Sequence, residues 1–296
     1  MQMGDFADRD GTIWFDGRLV PWREAQTHVM NQGLHYGATV FEGERTYGGR
    51  IFRLTEHTER LIASARAMGY ELPYSCGEIE LATMQAIKAS GLRDGYVRPF
   101  AWPGSRYMDL LIRDNEIHLA IAVWGVRAGP DESTRRRGLR LQLSEGRRPD
   151  DATLPGAAKS AASWAIGGVV REAAVRAGFD DAIMLNPQGN LAGTTGANLF
   201  LGIDGALHTP LPKGYIDGIT RRTVIDLMKR RGIEVIERDI APGEIDSIRE
   251  AFITGTAAEV TPVTRIGNRS LSIGTFTRKA TADYHDLVRS EGELIN

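Results

Sequence analysis

Two short apolar runs flank Asp16-Gly17 between Thr12 and Val20, and the arrangement recurs around Gly48-Gly49 between Glu44 and Leu54. Both dipeptides tolerate the positive φ of tight hairpin turns, so the chain opens as antiparallel sheet. The period then changes. From Thr55 to Gly69 the apolar positions Leu61, Ile62, Ala65 and Met68 fall at helical spacing and a glycine ends the run, which predicts an amphipathic helix. Ser75 and Glu78 form a capping-box pair ahead of a second helix reaching Gly91. Tyr96 to Trp102 and Glu116 to Trp124 are dense in β-formers and return to the sheet.

Gly125 to Gly138 is polar, charged and carries Gly129-Pro130, as a connection between domains does. Beyond it, strands are expected at Leu139 to Ser144, Asp181 to Asn186 and Glu250 to Thr254. Helices are expected at Ser160 to Ala177 and Gly218 to Arg231, and a hairpin at Asn198 to His208 about Asp204-Gly205. The expected organisation is a small N-terminal α/β domain over residues 1–126, an interdomain loop over 127–138 and a larger C-terminal domain over 139–296. The last is a mixed α/β unit with a closed or strongly curved sheet.

Composition narrows the function classes. With 296 residues, 42% hydrophobic and 25% charged, the chain sustains a substantial core rather than disorder. A net charge of -2 gives no general attraction to nucleic acid or an anionic membrane. The single cysteine, Cys76, cannot form an internal disulfide and reads as a small side chain near a helix start. The acidic opening MQMGDFADRDG lacks an apolar leader core and no later run reaches the length of a membrane span, so a cytoplasmic protein is expected. The basic run Arg135 to Gly138 reads as solvated linker.

Candidate chemistry centres on Lys159, set among Gly156, Ala157, Ala158, Ser160, Ala161 and Ala162 at the entrance of a helix. Small neighbours leave room for a ligand beside the amine, and a desolvated amine of lowered pKa forms a Schiff base with an aldehyde. Taken alone, a surface lysine in a small-residue turn fits as well. Tyr215 to Thr220 leads into a helix whose first amides, at Ile219 and Thr220, form an anion site; equally, Asp217 is that helix's N-cap. Ile253 to Ala258 is a strand ending in small and hydroxyl residues, which suits either a close ligand or a tight turn. Gly189 to Phe200, rich in Gly and Thr, fits a backbone lying against a flat ligand or a plain loop. Arg60, on the first long helix, would by itself be solvated.

The order of these stretches settles more than any one of them. Leu34-His35-Tyr36-Gly37, Val40-Phe41-Glu42-Gly43, Arg60, Tyr96-Val97-Arg98-Pro99, Lys159, Gly196 to Phe200, Asp217 to Arg221 and Gly255 to Pro262 together resemble the class IV, fold-type IV pyridoxal-phosphate aminotransferases, in particular the branched-chain amino acid enzymes. The resemblance spans nearly the whole chain. It implies a two-domain α/β (α+β) fold, pyridoxal 5′-phosphate as cofactor, an L-amino acid and a 2-oxo acid such as 2-oxoglutarate as substrates, and a homodimer. Lys159 then matches the Schiff-base lysine that also shuttles the substrate proton. Arg60, Gly218, Ile219, Thr220 and Thr256 match the phosphate anchors, and Trp164, Gly193 and Thr194 the positions around the cofactor ring. Tyr36, Phe41, Gly43, Tyr96, Trp124 and Ala257 match the substrate pocket, with Arg98 where relatives hold a distal carboxylate.

Departures from the family pattern sharpen the reading. Gly193 falls where the family keeps a glutamate that bonds the pyridine nitrogen, and Trp164 where it keeps a tyrosine, whose hydroxyl an indole N–H replaces only as a donor. Arg127 stands near a pocket position that is aromatic in branched-chain enzymes; it either favours a carboxylated substrate or faces solvent in the loop. Transamination is therefore expected to be slow or specialised. Gly193→Glu is expected to raise the rate about 10 to 100 times, ~1.4–2.8 kcal/mol, if the loop keeps the family's course. Two alternatives stand beside it: a lyase or epimerase on the same scaffold, which turns over without added 2-oxo acid, and a degenerate binding protein, which lacks the absorbance of a lysine-bound cofactor.

Overall fold

The computed structural model describes residues 5–126 and 132–295. The chain divides into two compact units, Met1–Val126 with Ala158–Ala162 and Glu291–Asn296, and Arg127–Ala157 with Ser163–Ser290. In the first unit the described strands form an antiparallel sheet in the order Glu293–Leu294, Arg50–Ile51, Glu44–Tyr47, Gly95–Pro103, Ile117–Gly125, Thr12–Phe15 and Arg18–Pro21, with Val40–Phe41 also on Gly95–Pro103. The first hairpin turns at Asp16 and Gly17, both at positive φ (44° and 94°), as a right-twisted two-residue loop requires.

Two helices of this unit, Leu54–Ala67 and Cys76–Ser90, bury Leu61, Ala65, Ile79, Ala86 and Ile87 with Val97, Leu119 and Ile121 of the sheet. The Ser75 and Glu78 capping box is formed, and Gly91 ends the second helix in the left-handed region (φ 66°). The central strand Gly95–Pro103 runs past Val40–Phe41, whose edge in turn holds the Ala158–Ala162 stretch: the Phe41 amide donates to the Lys159 carbonyl (3.0 Å) and the Ala161 amide to Thr39 (2.8 Å). Chain distant in sequence is thus fastened beside the Phe41 edge.

The sheet of the second unit runs Leu191–Thr194, Asp181–Leu185, Leu139–Arg147, Glu259–Ile266, Ile248–Gly255, Asn198–Ile203, Ala206–Pro210 and Val235–Arg238, with Arg269–Ser270 added on Glu259–Ile266. Its pairing is mixed: Leu139–Arg147 is parallel to both neighbours and Ala206–Pro210 is parallel to Val235–Arg238. Leu191–Thr194 lies at the end of this path, yet a short turn joins it to Asn198–Ile203, well inside the path, and the Thr194 amide donates to the Ala197 carbonyl (2.8 Å). Strands so far apart in the ladder can be so closely joined only if the sheet curls back on itself, the curved sheet expected. Leu141, Ile183, Leu191, Leu199, Leu201, Ile253 and Val263 fill its inner face.

Three differences from the sequence reading have local causes. Within the expected interdomain loop, Glu132–Arg137 is helical, and Arg137 pairs with both oxygens of Asp180 (2.8 and 3.0 Å), so the basic run is partly anchored rather than simply solvated. Leu191–Thr194, expected as loop, is a bulged edge strand. Thr275–Ser290 is a helix the chain's opening patterns do not announce; Thr277, Ala280, Tyr284 and Val288 give it a buried face, and Glu250 accepts from the Phe276 and Thr277 amides (3.2 and 2.8 Å) at its start. Among the described residues no helix is long and apolar enough to cross a membrane.

Candidate active site

In the first unit the Leu54–Ala67 helix sets His57, Arg60 and Ser64 along one face, at the spacing of successive turns. That face meets Glu42, whose carboxylate is fully buried. Glu42 accepts from Arg60 Nε (2.6 Å) and Nη2 (2.8 Å) and from His57 Nδ1 (2.7 Å). Burial pushes the Glu42 pKa up, but Arg60 and His57 outweigh it and hold the carboxyl well below the usual range. His57 is pushed down by burial against the opposing pull of Glu42, so it stays a neutral imidazole donating from Nδ1. The solvated reading of Arg60 fails: its side chain is 15% exposed and held in a two-pronged pair.

Lys159 completes this group. Its amide donates to Ser64 Oγ (3.0 Å), and its ammonium lies 5.0 Å from the centre of the Phe41 ring. Burial pushes the Lys159 pKa down to about 7; Glu42 opposes this, while Arg60 and Arg98 reinforce it. An amine of that pKa is largely neutral at mildly alkaline pH and is both nucleophile and proton carrier. The surface-lysine alternative is not what the structure has.

The same unit gathers Phe41, Gly43, Tyr96, Arg98 and Trp124. Tyr96 stacks on Trp124 (centroids 4.9 Å apart), Arg98 lies over Phe41 (4.7 Å) and donates from Nη2 to the Tyr96 hydroxyl (3.3 Å). Arg98 Nε is buried and has no hydrogen-bond partner among the described residues. A Cβ at Gly43 would fall 2.0 Å from the Tyr96 hydroxyl, so only glycine lets that ring sit where it does. Tyr36 is apart from this group, 48% exposed at the end of the Gln32–Tyr36 helix with its ring near His35. Arg127 lies outside the described residues.

The second unit holds the other candidates. Gly218 is the N-cap of Ile219–Arg230 and no side chain caps the helix. Asp217 instead pairs with the buried Arg221 (2.9 Å), so the capping role open to it in the sequence is not taken. The positive end of the helix dipole at Ile219 and Thr220 is therefore left without a side-chain cap. Asn198 fixes the approach: its Nδ2 donates to the Ile216 carbonyl (3.0 Å), and its Oδ1 lies 2.2 Å from where a Gly218 Cβ would be. Thr256 and Ala257 occupy the turn between Ile248–Gly255 and Glu259–Ile266. Trp164 lies with its ring 6.2 Å from that of Tyr215.

Gly193 has little room for a side chain. It sits at φ +90° in the bulge of Leu191–Thr194, and a Cβ there would lie 2.7 Å from the Ala197 carbonyl oxygen and 3.4 Å from Tyr215. An L side chain is strained at that φ whatever its chemistry. A glutamate at this position would need the backbone to shift. Asp181, the nearest buried carboxylate along the chain, has its Oδ1 engaged by Thr195 Oγ1 (2.6 Å) and the Ala182 amide (2.8 Å). Thr194 is fully buried, and its hydroxyl has no partner among the described residues.

Sequence patterns gave no role to Arg148, which the structure sets against the strand end that follows Gly193. Arg148, 3% exposed, lies 3.8 Å above the Tyr215 ring and donates from Nη2 to the carbonyls of Thr194 (2.5 Å) and Thr195 (3.1 Å). Burial pushes its pKa down, opposed by Tyr215 and Asp181. Its Nε is buried without a hydrogen-bond partner among the described residues. An arginine after a strand reads as solvated, and only the curl of the sheet reveals it as interior.

Comparison with known proteins identifies the family. Residues 39–266 match the family described as Amino-transferase class IV. A branched-chain-amino-acid aminotransferase of Pseudomonas aeruginosa is 39% identical over 294 residues, covering 97% of this chain and 96% of that protein. Among solved structures, the branched-chain aminotransferase of Thermoproteus uzoniensis with norvaline superposes with TM-score 0.90 at 35% identity over 95% of this chain and 96% of its own. The pyridoxal-phosphate form of the Thermobaculum terrenum enzyme gives TM-score 0.87 at 29% identity over 95% and 94%. The chain belongs to the class IV aminotransferases.

Proposed function

We propose that the chain is a pyridoxal-phosphate-dependent aminotransferase that moves an amino group between an L-amino acid of the branched-chain or a related type and a 2-oxo acid such as 2-oxoglutarate. The observation that carries the reading is Lys159, an enclosed amine with a pKa near 7 beside a preoriented arginine, in a chain of this family. When bound, the cofactor supplies an aldehyde that takes up the amino group and a ring that draws electrons from the substrate's Cα.

The chain's own residues supply the rest. Lys159 holds the cofactor and moves the proton at the substrate's Cα. Arg60, fixed by Glu42 and His57, offers a planar cation to the phosphate, as do the first amides of Ile219–Arg230 with Gly218 and Thr256. Trp164, Gly193 and Thr194 line the ring. Phe41, Gly43, Tyr96, Trp124 and Ala257 wall the substrate side, where apolar surface excludes water and favours a branched side chain, and Tyr36, which stands apart from them within the chain, is assigned to the pocket by the family resemblance alone. Arg98, with its unpartnered Nε, takes a carboxylate of the acidic substrate, and Arg127 is a further candidate for a carboxylated one. A homodimer in the cytoplasm completes the reading.

Borohydride treatment of the purified protein followed by peptide mapping tests it: a reduced adduct on Lys159 is expected, and an adduct on Lys213, or none, overturns the assignment. A screen of amino acids against 2-oxo acids follows. Turnover that needs no 2-oxo acid would replace the aminotransferase with a lyase or epimerase.

A further inference from the structure

Among the described residues Arg221 is the largest side chain to be fully buried, and the proposed chemistry gives it no part. It stands in the first turn of Ile219–Arg230, and all three of its guanidinium nitrogens are engaged. Nε donates to Thr209 Oγ1 (3.2 Å), Nη1 to Asp217 Oδ1 (2.9 Å), and Nη2 to the Pro210 carbonyl (3.1 Å) and to Glu237 Oε2 (2.9 Å). The Thr209 hydroxyl hands its own hydrogen to the Leu199 carbonyl (2.8 Å). Arg221 thus ties the turn ahead of its helix to the strands Ala206–Pro210 and Val235–Arg238, all within the second unit. Asp217 gives this tie its consequence. A carboxylate one residue ahead of the Gly218 N-cap is within reach of the unpaired first amides, and the helix dipole favours a negative charge there. Here it is turned away instead: Oδ1 takes Arg221, Oδ2 lies 3.6 Å from Arg222 Nη1, and no side chain caps the helix.

We propose that Arg221 is a positioning residue: by holding Asp217 off the first amides of Ile219–Arg230, it keeps them open to the cofactor's phosphate. A guanidinium suits the task because it carries donors in a fixed fork, so one side chain engages Asp217 and Glu237 while its remaining donors bond Thr209 and Pro210. Without it, Asp217 turns to the amides and becomes an anion supplied by the chain itself, in competition with the phosphate for the same donors. The inference rests on the cofactor reading given above and is tested so that the two fail differently.

The apo-protein is titrated with inorganic phosphate by calorimetry and loaded in parallel with pyridoxal phosphate and with pyridoxal, which lacks the phosphate. In Arg221→Met, phosphate and pyridoxal phosphate are expected to bind at least about fivefold more weakly, the fold-change to which the usual worth of a helix cap converts. The pyridoxal adduct on Lys159, trapped with borohydride, is expected to be unchanged. Adding Asp217→Ala to Arg221→Met is expected to recover most of the loss, because the competing carboxylate is gone; a residue that only braced the fold would not be rescued by removing its partner. Arg221→Gln, with and without Asp217→Ala, is read alongside in case the methionine variant does not fold. In the wild type, added phosphate is expected to move the amide resonances of Ile219 and Thr220, a readout that needs no variant. No loss of phosphate affinity, a loss that Asp217→Ala leaves in place, an equal loss for pyridoxal, or amides that phosphate does not move overturns the role of Arg221. A wild type that forms no reducible adduct on Lys159 with either aldehyde overturns the cofactor reading itself.

Discussion

Glu42 is the residue around which the first unit's chemistry is arranged, because a single buried carboxylate fixes Arg60, keeps His57 as its donor and partly offsets the cost of burying Lys159. Arg60→Ala should therefore do two things. Cofactor retention is expected to weaken by about 1.5–3 kcal/mol, the worth of a charge-assisted hydrogen bond, measured by equilibrium dialysis. Unfolding of the apo-protein should also come earlier, since Glu42 keeps only His57 as a side-chain partner. Unchanged retention would return Arg60 to a purely structural part. Lys159 gives a pH signature. Its folded pKa, about 7, lies below the ordinary lysine value, so the folded apo-protein binds fewer protons than the unfolded chain between those two pH values. Stability should rise with pH through that window and be flat below it. Cofactor uptake needs the neutral amine, so its rate should climb with pH to a plateau above about 7, measured by stopped-flow absorbance; a midpoint near the ordinary lysine value would place the amine in water. Lys159 and Arg60 were legible because their motifs lie in a fixed order along the chain. Neither the hub role of Glu42 nor the interior position of Arg148 was, because both depend on which strands become neighbours.

At the level of elements, several segments read correctly from sequence, whereas the bulged strand Leu191–Thr194 and the helix Thr275–Ser290 did not. Leu54–Ala67 and Cys76–Ser90 declare themselves by apolar spacing and by the caps at Ser75 and Gly91. The four-residue strand Leu191–Thr194 hides in a Gly- and Thr-rich stretch, because its pairing is interrupted by a bulge and its place is set by the closing of the sheet. That bulge decides what Gly193 tolerates. Gly193→Glu, which sequence reasoning favours as a rescue, should instead meet the Ala197 carbonyl and a backbone at φ +90°. A loss of about 1–3 kcal/mol of stability is expected from the strained backbone, seen in denaturant unfolding, with no gain in half-reaction rate toward glutamate or branched-chain amino acids. A faster, equally stable variant would show that the strand re-forms with the family's course.

At the scale of the whole molecule, the exposed apolar side chains are unevenly spread. Val29, Met30, Leu34 and Tyr36 are 43–70% exposed on one segment, and Tyr107, Leu110 and Leu111 are 52–76% exposed on another. The two segments are tied together by Gln32, whose amide donates to the Gly104 carbonyl (2.9 Å) and whose side chain donates to that of Asp109 (2.5 Å). Isolated exposed leucines need no explanation, but two exposed apolar segments tied together by hydrogen bonds make the kind of surface that a second copy covers. The homodimer proposed above is expected to use it. Sedimentation should give a particle of twice 32.5 kDa, and Leu34→Glu with Leu110→Glu should shift it to half that mass while leaving the fold intact by circular dichroism. Because Tyr36 stands on the same segment, the separated form should also lose activity, chiefly through a higher KM. A double variant that remains dimeric, or a wild type that sediments as a monomer, would remove this face from the assembly.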